Sequence, residues 1–483
     1  VRIIRTIKHF GCAWIIRVTY QVTKKEDLEN KGMDRYDIIV YGGGTAGMIA
    51  AVSSARAGAR ILLIEREGYL GGTATYGVPF LGFFSGDGTK VVGGLPQELV
   101  DRMISGGGSV GHVRGGTWKL GTGEYDYEFS LVPYDPECLK FTAQEMALEA
   151  GAELMLRVPL TGVEVDGKKI CAVEVMTVEG RQRLDADLFV DATGDAMLTS
   201  MAGFPTELQG RGKMQNVTIL FRMGNVDVDR MLDALMSEQR IKGFKDWHVR
   251  IIRGKLLDEG EGIVILAGHM ELWEDKPPLT FFAHRWRKEE ICLNITRTTD
   301  IDPTKQEDIN WAEISERRNV HAAVTALKER IPGFENAHLV VTAPHVGLRE
   351  GRRIKGLFTL TEEHVIEGEE FPDGIARGAY PMDIHDPKGG KTQFTFIKEG
   401  GSYSIPYRCL IPNGSENLLV AGRCISTTGK ALGSARMTAC CMALGQAAGT
   451  AAALASGGGV SPAKLDTKLL REKLLSDGAI LDV

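Results

Sequence analysis

The apolar positions of the chain follow two patterns. Toward each end they form short unbroken runs edged by glycine and alanine, whereas the middle scatters them among charges and aromatic residues. Residues 37–66 read DIIVYGGGTAGMIAAVSSARAGARILLIER. Residues 38–41 are a short β-branched run bounded by glycine, the pattern of a strand buried on both faces. Residues 46–57 follow as a small-residue helix with Gly58 at its C′ position, and residues 61–64 form a second strand ending at Glu65.

Further along, Asp135-Pro136-Glu137 has the N-cap, N1-proline and acidic first turn of a helix start, and Gly151 ends that helix. Three short strands come next, separated by the hairpin-type turns Asp166-Gly167 and Glu179-Gly180. A later strand at 188–190 runs into DATGD at 191–195. Residues 106–123 (GGGSVGHVRGGTWKLGTG) are too rich in glycine to pack a core and predict a mobile surface loop. Residues 206–405 contain Trp247, Trp273, Trp286 and Trp311 with eight of the ten histidines, and predict a mixed α/β region with a helix at 310–329. From 418 the first pattern returns as a buried strand, LLVAGR, then a long helix opening at Gly433-Ser434 and running to Leu454. Ser461-Pro462 opens a final helix with Leu465, Leu469, Leu470 and Leu474 at helical spacing.

These elements divide the chain. Residues 34–205 and 406–458 form a discontinuous dinucleotide-binding domain, 206–405 a second, substrate or cap domain, and 459–483 a helix packed on the core. Residues 1–33 predict a disordered or non-native extension; its first 32 residues carry seven Lys or Arg against three acids, and Met33 opens the native domain. Composition adds little: 43% hydrophobic and 25% charged residues are ordinary for a globular chain, and a net charge of −6 gives no reason to invoke nucleic acid. No apolar run reaches the roughly 20 residues of a membrane span. The eight cysteines (12, 138, 171, 292, 409, 424, 440 and 441) form no CxxC, so zinc-ribbon and ferredoxin-type spacings are absent and no metal site is expected. Scattered thiols point to a reducing cytoplasm. Cys138, Cys440 and Cys441 read as small buried hydrophobes rather than redox thiols.

The glycines carry the first chemical signal. Gly42-Gly43-Gly44-Thr45-Ala46-Gly47 fits GxGxxG between strand and helix: Gly42 for the tight turn, Gly44 for approach to a pyrophosphate, Gly47 for close helix–strand packing. The helix N-terminus offers unpaired N–H groups and partial positive charge to phosphates. Glu65, 23 residues beyond Gly42, can accept from ribose hydroxyls, with Arg66 beside it. Gly71-Gly72-Thr73, a second glycine pair so close to the ribose acid, is unnecessary for NAD and suits a longer cofactor whose chain continues toward an isoalloxazine ring.

Four segments together resemble the FAD-dependent oxidoreductase family that includes heterodisulfide reductase A-like proteins, and more distantly fumarate reductase flavoproteins. They are GGGTAG with Glu65, DATGD at 191–195, GLREGRRIKG at 347–356 with YPMDIH at 380–385, and AGRCISTTGKALGSARMTACCMALGQAAGTAAALA at 421–455. The resemblance spans residues 34–483. It implies FAD as cofactor and an α/β fold: a Rossmann-like, glutathione-reductase-type FAD-binding domain with an inserted β-meander and a second mixed α/β substrate domain. It implies Gly42, Gly44, Thr45, Ala46 and Gly47 at the pyrophosphate, Glu65 at the ribose, Gly72 and Thr73 along the chain, and Thr193 and Gly194 near the adenosine. Val158 would meet the adenine by backbone contact, and Gly422, Arg423, Gly433 and Ser434 would approach the ribityl and ring end. The iron–sulfur cysteine clusters of heterodisulfide reductase A proteins have no counterpart here, which argues against a cluster relay within this chain.

A flavin would exchange hydride at N5 with a substrate under the second domain. The catalytic candidates are His385, Arg349, Tyr380 and Arg353, with Arg352, Tyr407 and Arg436 as further wall residues. Arginines suit carboxylates through their bidentate fork, and His385 or Tyr380 can exchange the accompanying proton. The structural alternative pairs Arg352 and Arg353 with Glu350, Glu362 or Glu363. Three functions stand open: an FAD enzyme acting on a small polar organic substrate, a flavin-bearing electron-transfer subunit serving a redox partner protein, and a nicotinamide dehydrogenase. The flavin-type C-terminal segment argues against the third. A homodimer is a further expectation.

Overall fold

The computed structural model describes residues 2–10, 13–21, 35–119, 126–236, 250–258, 260–270, 279–389 and 392–483. Its organising layer is a sheet assembled from distant parts of the chain. β1 (Tyr36–Tyr41), α1 (Thr45–Arg56) and β2 (Ile61–Glu65) form the first crossover. α2 (Pro136–Ala150) leads to β3 (Glu153–Leu156), followed by the meander β4 (Leu160–Asp166), β5 (Lys169–Thr177) and β6 (Gly180–Asp191). The order across the sheet is β3-β2-β1-β6-β5-β4, and β7 (Leu418–Val420) pairs with β6. Pairings among β3, β2, β1, β6 and β7 are parallel, and β6-β5-β4 is antiparallel. β6 serves both halves: Gly180 to Asp185 pair with β5, and Ala186 to Asp191 with β1. The third meander strand and the late strand of the sequence reading are thus one continuous strand.

Local signals set the ends of these elements. The Asp135 carboxylate accepts from the Glu137 N–H at 3.0 Å and caps α2, and Gly151 closes it at φ 94°. Ile38, Ile39, Val40, Leu63 and Ile64 are wholly buried, as a strand covered on both faces requires.

Two C-terminal helices cover this sheet where one was expected. α3 (Gly429–Ala435) is capped by Thr428, and the chain turns extended at Met437 before α4 (Thr438–Gly458). α4 lies against α1 almost backbone to backbone. A Cβ on Gly445 would sit 2.2 Å from the Ala46 carbonyl oxygen, and one on Gly449 would sit 2.2 Å from that of Ala50. Only glycine allows this approach. Ser53 donates to the Gln446 carbonyl and Ser54 to that of Gly449, each at 3.0 Å. α4 is long and apolar enough to cross a membrane by composition, and 78% of its most apolar window is buried in the fold.

A second, antiparallel sheet runs in the order Arg250–Lys255, Glu261–Met270, Leu279–His284, Ile291–Asn294, Phe221–Gly224, His338–Thr342. The helix Gln306–Arg330 packs Val320, Ala323 and Leu327 against Phe221, Met223 and Leu293 in a core of its own. The chain returns to the first core earlier than residue 405: Ile354, Leu360, Ile375, Met382 and Tyr403 all join the cluster that holds α1 and α4. Apolar spacing in 354–405 serves short strands such as Gly374–Gly378 and Tyr403–Pro406, too short to mark this change of core in the sequence.

Three further expectations change. Val113–Lys119, inside the glycine-rich stretch, is a strand paired with Asp126–Val132; a bulge between Arg114 and Thr117 absorbs Gly115 and Gly116. Arg2–Phe10 and Ala13–Gln21 form a two-stranded antiparallel sheet, so the extension expected to lack order contains a hairpin, in keeping with its β-branched residues. Residues 22–34, Met33 among them, lie outside the described residues. The last helix is Thr467–Ser476, capped by Asp466; Leu470 and Leu474 are buried, and Leu469 is exposed.

Replacing Gly449 with Ala should lower stability by about 1–3 kcal/mol, because its methyl meets backbone that cannot retreat. Gly457→Ala, where a Cβ meets nothing within 4 Å, should cost nothing. Urea unfolding of the two variants checks this, and equal losses would contradict the packing account.

Candidate active site

The cleft begins where β1 turns into α1. Gly42 has φ +104°, and a Cβ on it would lie 2.6 Å from the Ala192 carbonyl oxygen; one on Gly47 would lie 1.7 Å from the Gly42 oxygen. These two glycines let the turn fold onto the end of β6. Gly44 differs, since the nearest atom to its Cβ position is Gly72 Cα at 4.0 Å. It faces open cleft. Gly44 is also the N-cap of α1 and supplies no capping side chain, which leaves first-turn N–H groups unpaired toward that space.

Two carboxylates fix the walls. Glu65, 6% exposed, accepts from the backbone N–H groups of Gly43 and Glu67, and burial pushes its carboxyl above the ordinary range. Asp191, wholly buried, accepts from the Thr193 hydroxyl at 2.7 Å and the Thr199 hydroxyl at 2.8 Å, so DATGD turns as a unit against the cleft. Thr45, Ala46, Arg66, Gly72, Thr73, Thr193, Gly194, Gly422 and Arg423 line the cleft with Gly42, Gly44 and Glu65. His345, from the second sheet's trailing loop, closes over it with Nε2 3.0 Å from Glu67 Oε1.

Four expected cofactor residues lie off the cleft. Gly47 acts through helix packing. Val158 spends its N–H on the Glu65 carbonyl, its own carbonyl accepts from the Tyr41 hydroxyl at 3.4 Å, and it does not line the cleft. Gly433 packs against Asp383, whose backbone oxygen lies 3.1 Å from its Cβ position. The Ser434 hydroxyl is buried against Tyr403 and the Tyr380 carbonyl. The helix facing the cavity is α4, and its first residue Thr438 takes the place expected of Gly433-Ser434. α4, like α1, starts without a side-chain cap.

The cleft opens into a chamber of about 330 Å³ between the two sheets. Thr73, Ala74, Tyr76, Leu348, Arg423, Arg436 and Thr438 line both spaces, so cleft and chamber are continuous. Arg349, Tyr380 and His385 line the chamber as expected. Arg353 does not: its Nε donates to the Thr427 carbonyl at 2.8 Å and its Nη2 to Glu207 at 3.0 Å, which makes it a buried brace. Arg352 donates to the Asp195 carbonyl, and Tyr407 to that of Pro462. Glu362, an expected partner of these arginines, instead accepts from Thr428 and pairs with Lys430.

The sequence reading missed Arg297 and Asp383. Arg297 follows the strand Ile291–Asn294; its one signal is a charge placed directly after an apolar run. Wholly buried Glu316 accepts from the Thr296 and Thr298 hydroxyls, which anchors the chain on either side of Arg297. Arg297 Nη1 donates to Asn294 Oδ1 at 3.0 Å and the Thr296 carbonyl at 2.6 Å; burial pushes the group down to about 10. Burial also lowers Arg349, aided by Arg297 and Arg436. Asp383 is held ionised, because the hydrogen bond from His385 and the charges of Arg436 and Arg349 outweigh the effect of its burial.

His385 is kept neutral. Burial and then Arg349 push it down to about 3. Its Nε2 faces Asp383 Oδ1 at 3.4 Å and its Nδ1 lies 3.0 Å from the Thr392 hydroxyl, so the ring proton belongs on Nε2. Tyr380 is held protonated by burial. Cys441 lines the cleft with its thiol pushed up to about 12 by burial, which leaves it inert.

Comparison with known proteins adds to this geometry. The chain is 26% identical over 203 residues to digeranylgeranylglycerophospholipid reductase 1 of Methanococcoides burtonii, covering 41% of this chain and 47% of that protein, under two-thirds of its length. It is 32% identical over 219 residues to thiamine thiazole synthase of Aeropyrum pernix, covering 42% and 68%. A solved geranylgeranyl bacteriochlorophyll reductase-like structure from Thermoplasma acidophilum aligns over 92% of this chain and 84% of its own, with 15% identity and a TM-score of 0.45. The family model described as FAD dependent oxidoreductase matches residues 37–474. The uncapped helix start at Gly44 and the open space before it fit the pyrophosphate of that cofactor. The chain belongs to the FAD dependent oxidoreductase family.

Proposed function

We propose that the cleft holds FAD, with its pyrophosphate at Gly44 and Thr45, a ribose at Glu65 and its ring end at Thr438, and that the chamber takes a small organic substrate for hydride exchange. The observation that carries this reading is continuity: two uncapped helix starts, from opposite ends of the chain, border one connected space. The flavin supplies the two-electron donor or acceptor. The chain's own residues do the rest. Thr438 and the first turn of α4 present N–H groups and a positive dipole end, which favour negative charge at that wall. Arg423, placed between cleft and chamber, donates to the Leu348 carbonyl and lies 3.6 Å from Asp195. Arg349 and Arg436 bind and orient the substrate. Tyr380, protonated and facing the chamber, holds the proton that accompanies hydride.

His385 has a different role from the acid–base one expected of it. Neutral across the physiological range, it positions Asp383 and leaves Tyr380 as the proton carrier. The alternative of an electron carrier for a partner protein is weaker, because a chamber walled by both sheets favours a bound small molecule over direct docking.

Gly44→Ala should keep the thermal stability of the FAD-free protein and lose at least about tenfold in FAD affinity, since its methyl enters the cleft rather than the fold. Flavin fluorescence titration measures this, and unchanged affinity would remove Gly44 from the site. Arg349→Ala and Tyr380→Phe should retain FAD yet slow anaerobic flavin bleaching by substrate at least about a hundredfold. Normal bleaching in both would refute the chamber assignment. His385 should contribute no inflection to the rate profile above pH 5. A wild-type inflection near pH 6.5 that disappears in His385→Gln would show that it titrates.

A further inference from the structure

The chamber is built with opposed chemical ends. One wall is apolar, formed by Leu81, Phe129, Leu220, Phe282 and Phe394. The other carries Arg297, Arg349 and Arg436. Among the described residues each of these guanidiniums spends a single nitrogen on protein acceptors. Arg297 uses Nη1, Arg349 uses Nη1 on Asn216, and Arg436 uses Nη2 on the Asp383 carbonyl. Arg297 Nη2 and Arg436 Nε are shut off from solvent with no partner among the described residues. A buried guanidinium N–H without an acceptor is costly, and three arginines converging on one chamber wall multiply that cost. Acids offset part of their charge: Glu316 stands behind Arg297, Asp383 lies 3.5 Å from Arg436 Nη2, and Glu350 acts on Arg436 and Arg353 from outside the chamber lining.

We infer that the substrate is an amphipathic carboxylate, its acid group received by Arg349, Arg436 and Arg297 and its apolar body laid along the phenylalanine wall. This rests on the reading of the chamber as the substrate site. A carboxylate supplies the planar acceptor pair that guanidinium forks match. A phosphate dianion would bring a second negative charge up to Asp383, so a single charge fits better.

The test uses full-length protein with its FAD-to-chain ratio measured first. Sorbate, trans-cinnamate and trans-2-decenoate are titrated beside the alcohols of the same carbon skeletons, with acetate and phenyl phosphate as further probes. Calorimetry and the flavin absorbance change are both recorded. At least one of the three acids should bind about tenfold or more tightly than its own alcohol and than acetate. Arg349→Gln and Arg436→Gln should each cut that acid-over-alcohol preference about tenfold at an unchanged FAD ratio. The inference is overturned if no acid exceeds its alcohol, if phenyl phosphate binds better than every acid, or if the preference survives in both variants. The wild-type comparison alone decides the matter if a variant fails to fold. Protein that takes up no FAD would sink the parent reading and this inference with it. FAD-loaded protein indifferent to the acid group would sink only the inference.

Discussion

The contact between α1 and α4 is the constraint on which the rest depends. Glycines at 445 and 449 bring one helix backbone against the carbonyls of the other, and Ser53 and Ser54 lock the register through hydrogen bonds to Gln446 and Gly449. The two helices are nearly four hundred residues apart in sequence, as Ser53 and Thr450, 2.7 Å apart, illustrate with a separation of 397. Once that register is fixed, so is the relation between their N-termini. Both starts lack capping side chains, and both border the same cavity. A helix pair that packed less closely would open the cleft and separate the two helix starts that border it. Packing therefore shapes the cleft as well as the core.

Much of this was legible in the chain itself. The strand–glycine–helix unit at 36–65, the cap of α2 at Asp135 and the meander turns announce themselves by local rules, because turn chemistry and capping act within a few residues. What sequence could not give was direction over longer distances. Gly433 and Ser434 look like a helix start aimed at a ligand, yet Gly433 serves the close approach of Asp383, and the extended turn at Met437 makes Thr438 the helix start that lines the cleft. Val158 has backbone partners, Glu65 and Tyr41, that only the folded sheet brings within reach. Arg353 and Arg349 are four residues apart and chemically alike. Tertiary structure turns one into a brace on Glu207 and the other into a wall of the chamber.

The chamber shows how burial decides roles that residue type leaves open. Histidine suggests proton exchange by its ordinary titration range, but enclosure beside Arg349 keeps His385 neutral. Tyrosine, usually the weaker candidate, remains protonated and faces the cavity. The arginines gain importance for the same reason. Backbone and amide oxygens fix Arg297 and Arg349, and Arg436 meets both the carbonyl and the carboxylate of Asp383; Arg297 Nη2 and Arg436 Nε keep donors that no protein acceptor uses among the described residues. The second sheet supplies the apolar opposite wall, so neither sheet alone could make the site.

The most direct test of the central claim is amide hydrogen exchange with and without bound FAD, read at single-residue resolution. Amides in the first turns of α1 and α4 lack helical acceptors and should exchange fast in the free protein. Saturating FAD should protect Thr45 and Ala46 together with Ala439 and Cys440, at the same ligand concentration. Protection confined to the α1 amides, with those of α4 unchanged, would contradict the account.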